Sequence, residues 1–424
     1  MSGNKKPEPH AFYQGDWIVK TTLSDLSIVG GPPLFAGIRP IGQLAMGNTE
    51  TFFEYMRRMY STRRMTNNGP LVQILEARLA ELHHSKYCVS FNSASMALVL
   101  LLQSLRANTG GEVIMPAFTY PGLPHLARWA GLTPVFSDID PLTHTLDPES
   151  VADSISHWTA VILGVHSVTS PCQIKELQKL ADSKRLPLIF DSVHGLGCSY
   201  QGKALGSFGE AEVFSLHATK LINGFEGGYV TTDNFALAKL LRQSRNFGFL
   251  EEDTVTALGL NAKLNEIHAG LALVTLEALP ETIAANKARY DAYCQYFDGI
   301  SGVSLIPYEG EEEFNYEFAL AQIDSSWVLS RDETIELLRS ENALARPYYC
   351  PPLHLSEHRP AGMAPPSLPV TEALSHQIIQ MPVGELVSVD DIRRLATFFR
   401  FIGDNARAIR KRLWNNRGAC TKRH

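Results

Sequence analysis

The central part of the chain alternates short apolar runs with amphipathic segments. Seven runs have the length and the β-branched or aromatic content of buried strands: Tyr87–Phe91, Val113–Met115, Pro134–Phe136, Ala160–Val165, Leu186–Phe190, Val213–Ser215 and Gly228–Thr232. Between them lie helix-like stretches such as Ile174–Ser183, whose apolar side chains fall on one helical face. The alternation predicts an α/β fold with β-α-β units and a mostly parallel central sheet.

Beyond Gly259 the pattern changes to longer helical periodicity. We expect helices over Leu264–Leu279, Ile283–Phe297, Asp332–Leu338 and Asp390–Phe399, and a strand over Tyr316–Ile323. This mixture predicts a smaller C-terminal α+β domain. The organisation expected is an N-terminal arm (1–65), a large domain (66–285) and a small domain (286–424) that ends in a basic tail.

Composition narrows the class of protein. The 424 residues carry a formal net charge of −6, with 45% hydrophobic and 19% charged side chains, as in ordinary globular proteins. A net-negative chain argues against nucleic acid as the main partner. No apolar stretch reaches the roughly 18 residues that a membrane span needs, and the polar start lacks the apolar core of a secretory signal. We therefore expect a cytoplasmic protein without a membrane partner.

Three other features carry no expected chemistry. The six cysteines are scattered without a C-x-x-C pair, which predicts reduced thiols and no metal site. The Pro-rich stretch 359–369 is expected to be a loop. We expect the basic tail to be a solvated helix end that frays, without a function of its own; its cations are Arg407, Arg410, Lys411, Arg412, Arg417, Lys422 and Arg423.

The residues that follow the predicted strands are the candidates for chemistry, because open α/β sheets bind ligands beyond the carboxyl ends of their strands. After the first strand, Ser93-Ala94-Ser95 opens an apolar helix. Small residues at such a turn expose helical N–H groups that favour a phosphate, although Ser93 or Ser95 could instead simply cap the helix. The turn is neither a Walker loop nor G-x-G-x-x-G, so a nucleoside triphosphate or dinucleotide is poorly supported.

Lys220 and Asp191 suggest a specific cofactor. Lys220 precedes a glycine-rich segment, where a partly desolvated amine suits Schiff-base chemistry with an aldehyde. Asp191 ends a very apolar run and therefore needs a positive partner, for which a protonated pyridine nitrogen is suitable. Together with a helix-end phosphate site, these residues point to pyridoxal 5'-phosphate. Tyr120, after the second strand, could stack on the ring or simply pack in the core.

Several longer motifs occur in the order found in one family. They are Ser24–Pro33, Asn68–Pro70, Glu112–Pro116, Gly131–Asp140, Glu212–Lys220, Phe225–Gly228, Arg245–Phe249, Gly259–Glu266 and Met381–Gly384. With these motifs the chain resembles the DegT/StrS family of sugar aminotransferases from about Ser24 to Phe399. The resemblance implies the pyridoxal phosphate-dependent aspartate aminotransferase fold (fold type I). It is strongest to the members that aminate dTDP-4-keto-6-deoxyglucose in desosamine biosynthesis.

The resemblance also implies roles for individual residues. Lys220 matches the Schiff-base lysine, Asp191 the partner of the pyridine nitrogen, His194 a side chain beside the ring's phenolic oxygen and Tyr120 the stacking aromatic. Ala94 and Ser95, next to Ser93, match the phosphate turn, and Ser215 supplies a second phosphate hydroxyl. Asn261 matches an asparagine that reaches the phosphate of the other subunit, which implies a homodimer with shared sites. By itself, Asn261 would be interpreted as a helix cap.

For the substrates, the resemblance implies a sugar nucleotide and an amino donor, L-glutamate. Arg346, Tyr348, Tyr349 and His354 match the segment near the sugar nucleotide, and Lys263 and Phe249 are further candidates for its diphosphate or base. The family also contains dehydratases with histidine in place of the lysine, so Lys220 favours transamination. In the expected cycle, Lys220 moves protons in both half-reactions, and the cofactor alternates with pyridoxamine 5'-phosphate.

The chain departs from the family pattern around the cofactor face and the substrate channel. The departures are Thr119-Tyr-Pro-Gly-Leu123, His166-Ser-Val-Thr169, Asp191-Ser-Val-His194 and Leu216. Two alternatives therefore stay open. One is an enzyme of the same fold that acts on a cyclitol ketone or an amino acid, or with chemistry other than transamination. The other is a catalytically silent partner protein.

Overall fold

The computed structural model describes residues 19–105, 111–251, 253–308, 310, 312–356 and 365–420, with side chains up to residue 412. Its α-helices are α1 (Thr49–Thr62), α2 (Pro70–Leu82), α3 (Ala94–Leu105), α4 (Leu123–Trp129), α5 (Pro148–Ser154), α6 (Ile174–Lys184), α7 (Phe235–Ser244), α8 (Glu266–Glu277), α9 (Leu279–Phe297), α10 (Arg331–Ser340), α11 (Pro369–Ser375) and α12 (Val389–Cys420). Short 3-10 helices span Leu23–Asp25, Ser27–Val29 and Leu353–Leu355.

The strands of this part of the chain form two main sheets and two short hairpins. They are β1 (Tyr87–Phe91), β2 (Glu112–Pro116), β3 (Thr133–Ser137), β4 (Thr159–Val165), β5 (Leu188–Asp191), β6 (Ser199–Tyr200), β7 (Lys203–Ala204), β8 (Ala211–Ser215), β9 (Gly228–Thr232), β10 (Phe249–Glu251), β11 (Thr254–Val255), β12 (Val303–Leu305), β13 (Leu320–Ile323), β14 (Arg346–Pro347) and β15 (Ile378–Gln380). Each of the seven strands predicted over residues 85–235 is present, with ends within two residues of the prediction.

The large sheet has the order β1-β9-β8-β5-β4-β2-β3. The strands from β8 to β3 pair in parallel, whereas β9 is antiparallel to both of its neighbours, β1 and β8. This confirms the predicted α/β architecture with a mostly parallel sheet. Because β1 and β8 both oppose β9, they run in the same direction. The carboxyl ends of β1, β5 and β8 therefore meet at one edge of the sheet.

The helical region after Gly259 differs from its prediction in one respect. The helix expected over Leu264–Leu279 ends at Glu277, and α9 starts two residues later with Pro280 in its first turn. Proline has no N–H to continue the hydrogen-bond ladder of α8, so the two helices separate here. The cap of α8 is Asn265, whose side chain accepts from the His268 N–H at 3.0 Å. The interpretation of Asn261 as a helix cap is therefore wrong.

The smaller sheet has the order β12-β13-β15-β14 and packs on α9 and α12. The strand expected over Tyr316–Ile323 is shorter than predicted, since β13 begins only at Leu320. Tyr316 has a φ of 51°, in the left-handed region, and this turns the backbone out of an extended strand. The domain boundary expected at residues 285/286 falls inside α9. The proposed domain division remains a prediction.

Part of the expected N-terminal arm packs on the core of the smaller sheet. Leu26, Leu34 and Phe35 are buried in that core, and the Lys20 ammonium pairs with the Glu341 carboxylate at 2.9 Å. Helix α1, in contrast, packs against α8. Residues 1–18 of the arm lie outside the described residues.

The remaining expectations concern loops and the C-terminal helix. Residues 357–364 of the Pro-rich region lie outside the described residues, 365–368 have no regular structure and Pro369 begins α11. The backbone of α12 continues to Cys420, far beyond the predicted end at Phe399, so it includes the first cations of the basic tail. Lys422 and Arg423 lie outside the described residues. Among the helices described, none is by itself long and apolar enough to span a membrane; α8 and α9 pass that test only as a pair bent by 61°.

Candidate active site

The carboxyl edge of the large sheet brings the predicted residues together. Phe91 at the end of β1 and Ser215 at the end of β8 both pair with Gly228, the first residue of β9. Asp191 ends the neighbouring strand β5. This register places the turn after Phe91, Ser215 and Asp191 along one edge, as the α/β pattern predicts. We call Ser93–Ser95, Asp191, His194, Ser215 and Lys220 the large-sheet wall.

The turn before α3 provides free donors. Ser93 caps this helix, since its Oγ accepts from the Met96 N–H at 3.1 Å. The N–H groups of Ala94 and Ser95 donate to no acceptor in the described part of the chain. They lie at the positive end of the helix dipole, where an anion is stabilised. Both sequence interpretations of this turn are therefore compatible: Ser93 caps the helix, and the two following N–H groups remain available to a phosphate.

Asp191 is a buried carboxylate with few donors. Its side chain accepts from the Val193 N–H at 3.2 Å, and the residue is 7% exposed. Burial raises the pKa of Asp191, and the positive charge of Lys220 acts in the opposite direction. A carboxylate in such a site is stabilised by a cationic N–H donor. Asp191 is therefore suited to bind a protonated ring nitrogen.

Lys220 meets two other polar side chains. Its Nζ lies 3.2 Å from His194 Nδ1 and 3.6 Å from Glu317 Oε1. His194 Nδ1 is itself 3.0 Å from Glu317 Oε2. The ring of Phe318 closes one side, 5.7 Å from Lys220 Nζ and edge-on to His194. The amine is thus confined to a small polar pocket, with its side chain only 14% exposed.

Glu317 and Phe318 are site residues that sequence analysis missed. The sequence pattern predicts a strand through both residues, but they lie in the turn before β13, which brings them to the edge of the large sheet. One signal was available. Glu317 is the only acid in the predicted strand Tyr316–Ile323, and a carboxylate in an apolar stretch needs a partner, as argued for Asp191.

The segment around β14 also lines this region. Tyr348 is buried, and its hydroxyl accepts from the Val168 N–H at 3.3 Å. Tyr349 packs on Tyr348 with ring centroids 4.2 Å apart, and burial raises its pKa, with a further contribution from the charge of Asp191. The Arg346 guanidinium donates to Gln380 Oε1. Burial and the charge of Lys220 lower the pKa of His194, and the charge of Arg346 adds to this effect. We call Glu317, Phe318, Arg346, Tyr348 and Tyr349 the small-domain wall.

His354 is not brought to this site in the same way. The residue is fully buried, and its Nε2 lies 3.2 Å from the Glu372 carboxylate of α11. Nε2 is therefore already partnered, and the burial of the residue leaves the side chain no exposed surface for a substrate. Its expected part in substrate binding remains a prediction.

Lys263 and Phe249 belong to a second cluster, beside the turn before α3. Lys263 Nζ donates to Asn246 Oδ1 at 2.6 Å and lies 5.0 Å from the centre of the Phe247 ring, next to Phe249. Burial lowers the pKa of Lys263. Asn261 pairs with Asn246 through a β-bridge. The substrate roles expected for Lys263 and Phe249 remain predictions.

Asn261 and Tyr120 have their side chains accessible. The Asn261 carbonyl accepts from the Asn92 side chain at 3.3 Å, so it lies beside the turn before α3 of its own chain. Tyr120 is 59% exposed, four residues beyond the end of β2. Contact of Asn261 with the partner's phosphate and stacking of Tyr120 on the cofactor ring also remain predictions.

The donor set fits pyridoxal phosphate. The free N–H groups of Ala94 and Ser95 and the hydroxyl of Ser215 suit a phosphate dianion. Asp191 suits a pyridinium nitrogen, and Lys220 provides an amine inside a confined pocket. Each of the three functional groups of the cofactor, the phosphate, the ring nitrogen and the aldehyde, thus has a matching group in the site.

Comparisons with known proteins decide the family. The model of the DegT/DnrJ/EryC1/StrS aminotransferase family matches residues 47–400. The chain belongs to this family. It is therefore a pyridoxal phosphate-dependent aminotransferase with the fold of that class, as its motifs indicated.

Individual relatives cover most of the chain. The chain is 31% identical over 350 residues to the dTDP-4-amino-4,6-dideoxy-D-glucose transaminase of Escherichia coli, covering 81% of this chain and 93% of that protein. It is 30% identical to the dTDP-3-amino-3,4,6-trideoxy-alpha-D-glucose transaminase of Streptomyces venezuelae, covering 74% and 83% of the two chains. The crystal structure of DesI, determined in the presence of its TDP-sugar product, has a TM-score of 0.87 and 38% identity, covering 92% and 99%.

Proposed function

We propose that this aminotransferase moves an amino group from L-glutamate to a 4-keto-6-deoxy sugar nucleotide, with dTDP as the nucleotide. The observation that carries the proposal is the confined amine of Lys220, held between His194 and Glu317 at the edge that also bears Asp191. The sugar nucleotide is supported by the names of the relatives from Escherichia coli and Streptomyces venezuelae and by DesI with its TDP-sugar product.

Residues of the large-sheet wall would hold the cofactor. Ala94, Ser95 and Ser215 would bind its phosphate, Asp191 its ring nitrogen and Lys220 its aldehyde, with Tyr120 against the ring. Bound pyridoxal phosphate would supply an electron sink for the carbanion next to the reacting nitrogen and would store the amino group between the half-reactions. Asp191 would maintain the positive charge on the ring nitrogen, because an opposite charge in contact favours the protonated form.

Lys220 would carry the proton in both halves of the reaction. Once released as a free amine, its Nζ would take the proton from the α-carbon of the amino donor, hold it as an ammonium and release it on the other side of the reacting nitrogen. In the second half the same atom would move a proton in the reverse direction, onto the sugar carbon. A lysine confined at this position can act as general base and general acid in turn. Phe318 and the two tyrosines of the small-domain wall would limit the access of water.

We further propose a homodimer in which Asn261 reaches the phosphate bound by the partner subunit. The sugar nucleotide would lie along Arg346, Tyr348 and Tyr349, with Lys263 and Phe249 towards its diphosphate or base and His354 behind this segment. Arg346 is exposed, so its cation is accessible to an anionic substrate. Lys263 and the ring of Phe247 offer a cation beside an aromatic surface.

The test is a direct assay of both products. Protein loaded with pyridoxal phosphate is incubated with L-glutamate and dTDP-4-keto-6-deoxyglucose, and 2-oxoglutarate and the amino sugar are quantified. Over many turnovers we expect equal amounts of the two products. When the sugar nucleotide is omitted, we expect no amino sugar and only the single equivalent of 2-oxoglutarate per active site that the first half-reaction releases. Release of more than one equivalent of 2-oxoglutarate per active site without an amino sugar would contradict the proposed acceptor, and no reaction with any keto substrate would favour a silent partner protein.

The position of amination is the second question for the same assay. Names of two relatives place the amino group at C4 in one product and at C3 in the other. NMR of the product formed here identifies the carbon that carries nitrogen. We expect C4; an amino group at C3 would replace the proposed acceptor with a 3-keto sugar nucleotide.

A further inference from the structure

Glu317 is a buried acid in an unusual position. It lies in the turn between β12 and β13, more than 90 residues away in sequence from Lys220 and 123 residues from His194, and it is 1% exposed. Its Oε2 lies 3.0 Å from His194 Nδ1 and its Oε1 lies 3.6 Å from Lys220 Nζ. Within the described residues, Oε1 has no hydrogen-bond donor. One carboxylate thus offers one oxygen to each of the two residues.

The backbone of Glu317 is fixed on both sides. Its N–H donates to Asn315 Oδ1 at 2.9 Å, and its carbonyl accepts from Gln43 Nε2 at 2.8 Å. The amide of Asn315 in turn donates to the carbonyls of His194 and Leu196, each at 2.8 Å. The turn that carries Glu317 is therefore bound directly to the segment that carries His194. This arrangement holds the carboxylate at a set distance from the imidazole.

The charge states follow from the surroundings. Burial acts to raise the pKa of Glu317, but the charge of Lys220 and the contact with His194 outweigh it and hold the pKa below its ordinary value. Burial and the charge of Lys220 lower the pKa of His194. A neutral imidazole next to a carboxylate carries its proton on the nitrogen that faces the carboxylate, which here is Nδ1. Nδ1 then has no lone pair to accept a hydrogen bond from Lys220.

The other titratable groups near this cluster do not replace Glu317. Tyr308, Tyr348 and Cys198 are close enough to interact with its charge. Burial raises the pKa of Cys198 and of Tyr348 to about 12 and holds that of Tyr308 well above its ordinary value, so all three are neutral near pH 7. The charged neighbours are Asp191, which interacts with Lys220, and Arg346, which interacts with His194. Asp191 is committed to the ring nitrogen in the proposed site.

We propose that Glu317 is a positioning residue for Lys220, which fixes the Nδ1–H tautomer of His194 through Oε2 and provides through Oε1 the counter-charge for the ammonium that Lys220 becomes after it takes a proton. This inference rests on the proposed role of Lys220. Oε1 lies 3.6 Å from Nζ, close enough to form an ion pair with an ammonium, whereas a neutral amine offers no charge for this oxygen to balance. The Glu317 carboxylate therefore stabilises the ammonium form of Lys220 between the step in which Nζ takes a proton and the step in which it releases it.

The first test needs no cofactor. Lys220 in the cofactor-free full chain is labelled with a trace of acetic anhydride at pH 8, and its modification is quantified by peptide mass spectrometry. In Glu317→Gln, which keeps shape and loses charge, we expect labelling at least about 10-fold faster, because an opposite charge within about 4–6 Å favours the ammonium by a decade or more. The matched control is Glu312→Gln, whose carboxylate in the same loop binds Ser199 and Gln201. This control should label as wild type does.

The second test uses the loaded protein. The visible absorption of the lysine-bound cofactor is titrated with pH, and we expect its midpoint in Glu317→Gln to lie at least about one pH unit below that of wild type. If Glu317→Gln does not fold, Glu317→Asp provides the test, because it keeps the charge at a longer distance. We expect Glu317→Asp to be labelled faster than wild type by less than about 10-fold, with a midpoint below that of wild type by less than about one pH unit. A midpoint and a labelling rate equal to those of Glu312→Gln would overturn the proposal.

Failure of the proposed function would give a different result. Without cofactor binding, neither wild type nor variant would show a lysine-dependent visible band, whereas labelling of the cofactor-free chain would still report on Glu317. An unchanged labelling rate in a protein that turns over sugar nucleotides would overturn the role of Glu317 alone.

Discussion

The two walls of the candidate site are built in different ways. The large-sheet wall consists of residues that follow parallel strands, and its positions are set by the register of β1, β9 and β8. The small-domain wall consists of a turn and a two-residue strand, held to the large sheet by side-chain hydrogen bonds such as those of Asn315. The register of a sheet thus positions the large-sheet wall, whereas individual side-chain contacts position the small-domain wall.

The largest expected effect is on the large-sheet wall. Lys220→Ala removes the amine that binds the aldehyde and moves the protons, so turnover should fall by more than about 10³-fold. The measurement is 2-oxoglutarate release from L-glutamate in the presence of the sugar nucleotide, and the matched control is Lys179→Ala on the exposed face of α6. The thermal unfolding temperature should stay close to that of wild type. Turnover within tenfold of wild type would remove Lys220 from the mechanism.

The second prediction concerns the loss of stability at acidic pH that is caused by His83, a buried residue in contact with β9 of the large sheet. Nδ1 of His83 donates to the Leu205 carbonyl, and its Nε2 accepts from the Tyr229 hydroxyl of β9 at 2.9 Å. Burial lowers the pKa of His83 from 6.5 to about 4. Between these pH values the unfolded chain binds a proton that the folded chain does not. The free energy of unfolding therefore decreases as the pH falls through this window, by on the order of 2 kcal/mol at pH 5.

Urea unfolding of the cofactor-free chain at pH 7.5 and pH 5 measures this loss. His83→Gln lacks the imidazole, so its free energy of unfolding should differ less between pH 7.5 and pH 5, by the amount that His83 contributes. His157→Gln, at an exposed histidine, should retain the wild-type difference. An identical pH dependence in all three proteins would refute the assignment to His83.

The origin of each wall also explains how much could be predicted from sequence. Lys220, Asp191 and the Ser93–Ser95 turn follow apolar runs with strand length, and parallel strands place such positions along one edge. The fold class and most of the large-sheet wall were therefore predictable. Glu317 was not, because its contact with His194 spans 123 residues and depends on a left-handed Tyr316 that no local pattern indicated. The pattern of apolar runs predicts which residues lie along the edge of a sheet. It does not predict which turn of the smaller sheet packs against that edge.

A third prediction tests the close packing behind the phosphate turn. Gly228 lies against the backbone of Ala94, and an added Cβ there would overlap backbone atoms of Ala94 and Phe214. In Gly228→Ala the start of α3 must shift, at a cost of about 1–3 kcal/mol. We expect pyridoxal phosphate to bind about 10-fold more weakly, as measured by absorbance titration. Gly37→Ala, where an added Cβ meets only the Arg39 side chain at 3.8 Å, should bind as wild type does. Equal affinities would show that α3 does not set the phosphate site.

The smallest effect is expected where the small-domain wall contacts the loop that follows β4. Tyr348→Phe removes the hydroxyl that accepts from the buried Val168 N–H at 3.3 Å and leaves that donor unpaired. The free energy of unfolding should fall by about 1 kcal/mol, measured with urea, since the bond is long and the ring stays packed. Tyr60→Phe, at a tyrosine that is 66% exposed, should change nothing. A loss above about 3 kcal/mol would mean that a single polar contact holds the small-domain wall, since a buried donor left unpaired ordinarily costs less. A loss near 1 kcal/mol would instead leave that role to the shared hydrogen bonds of Asn315 and to the packing of Phe318 against His194.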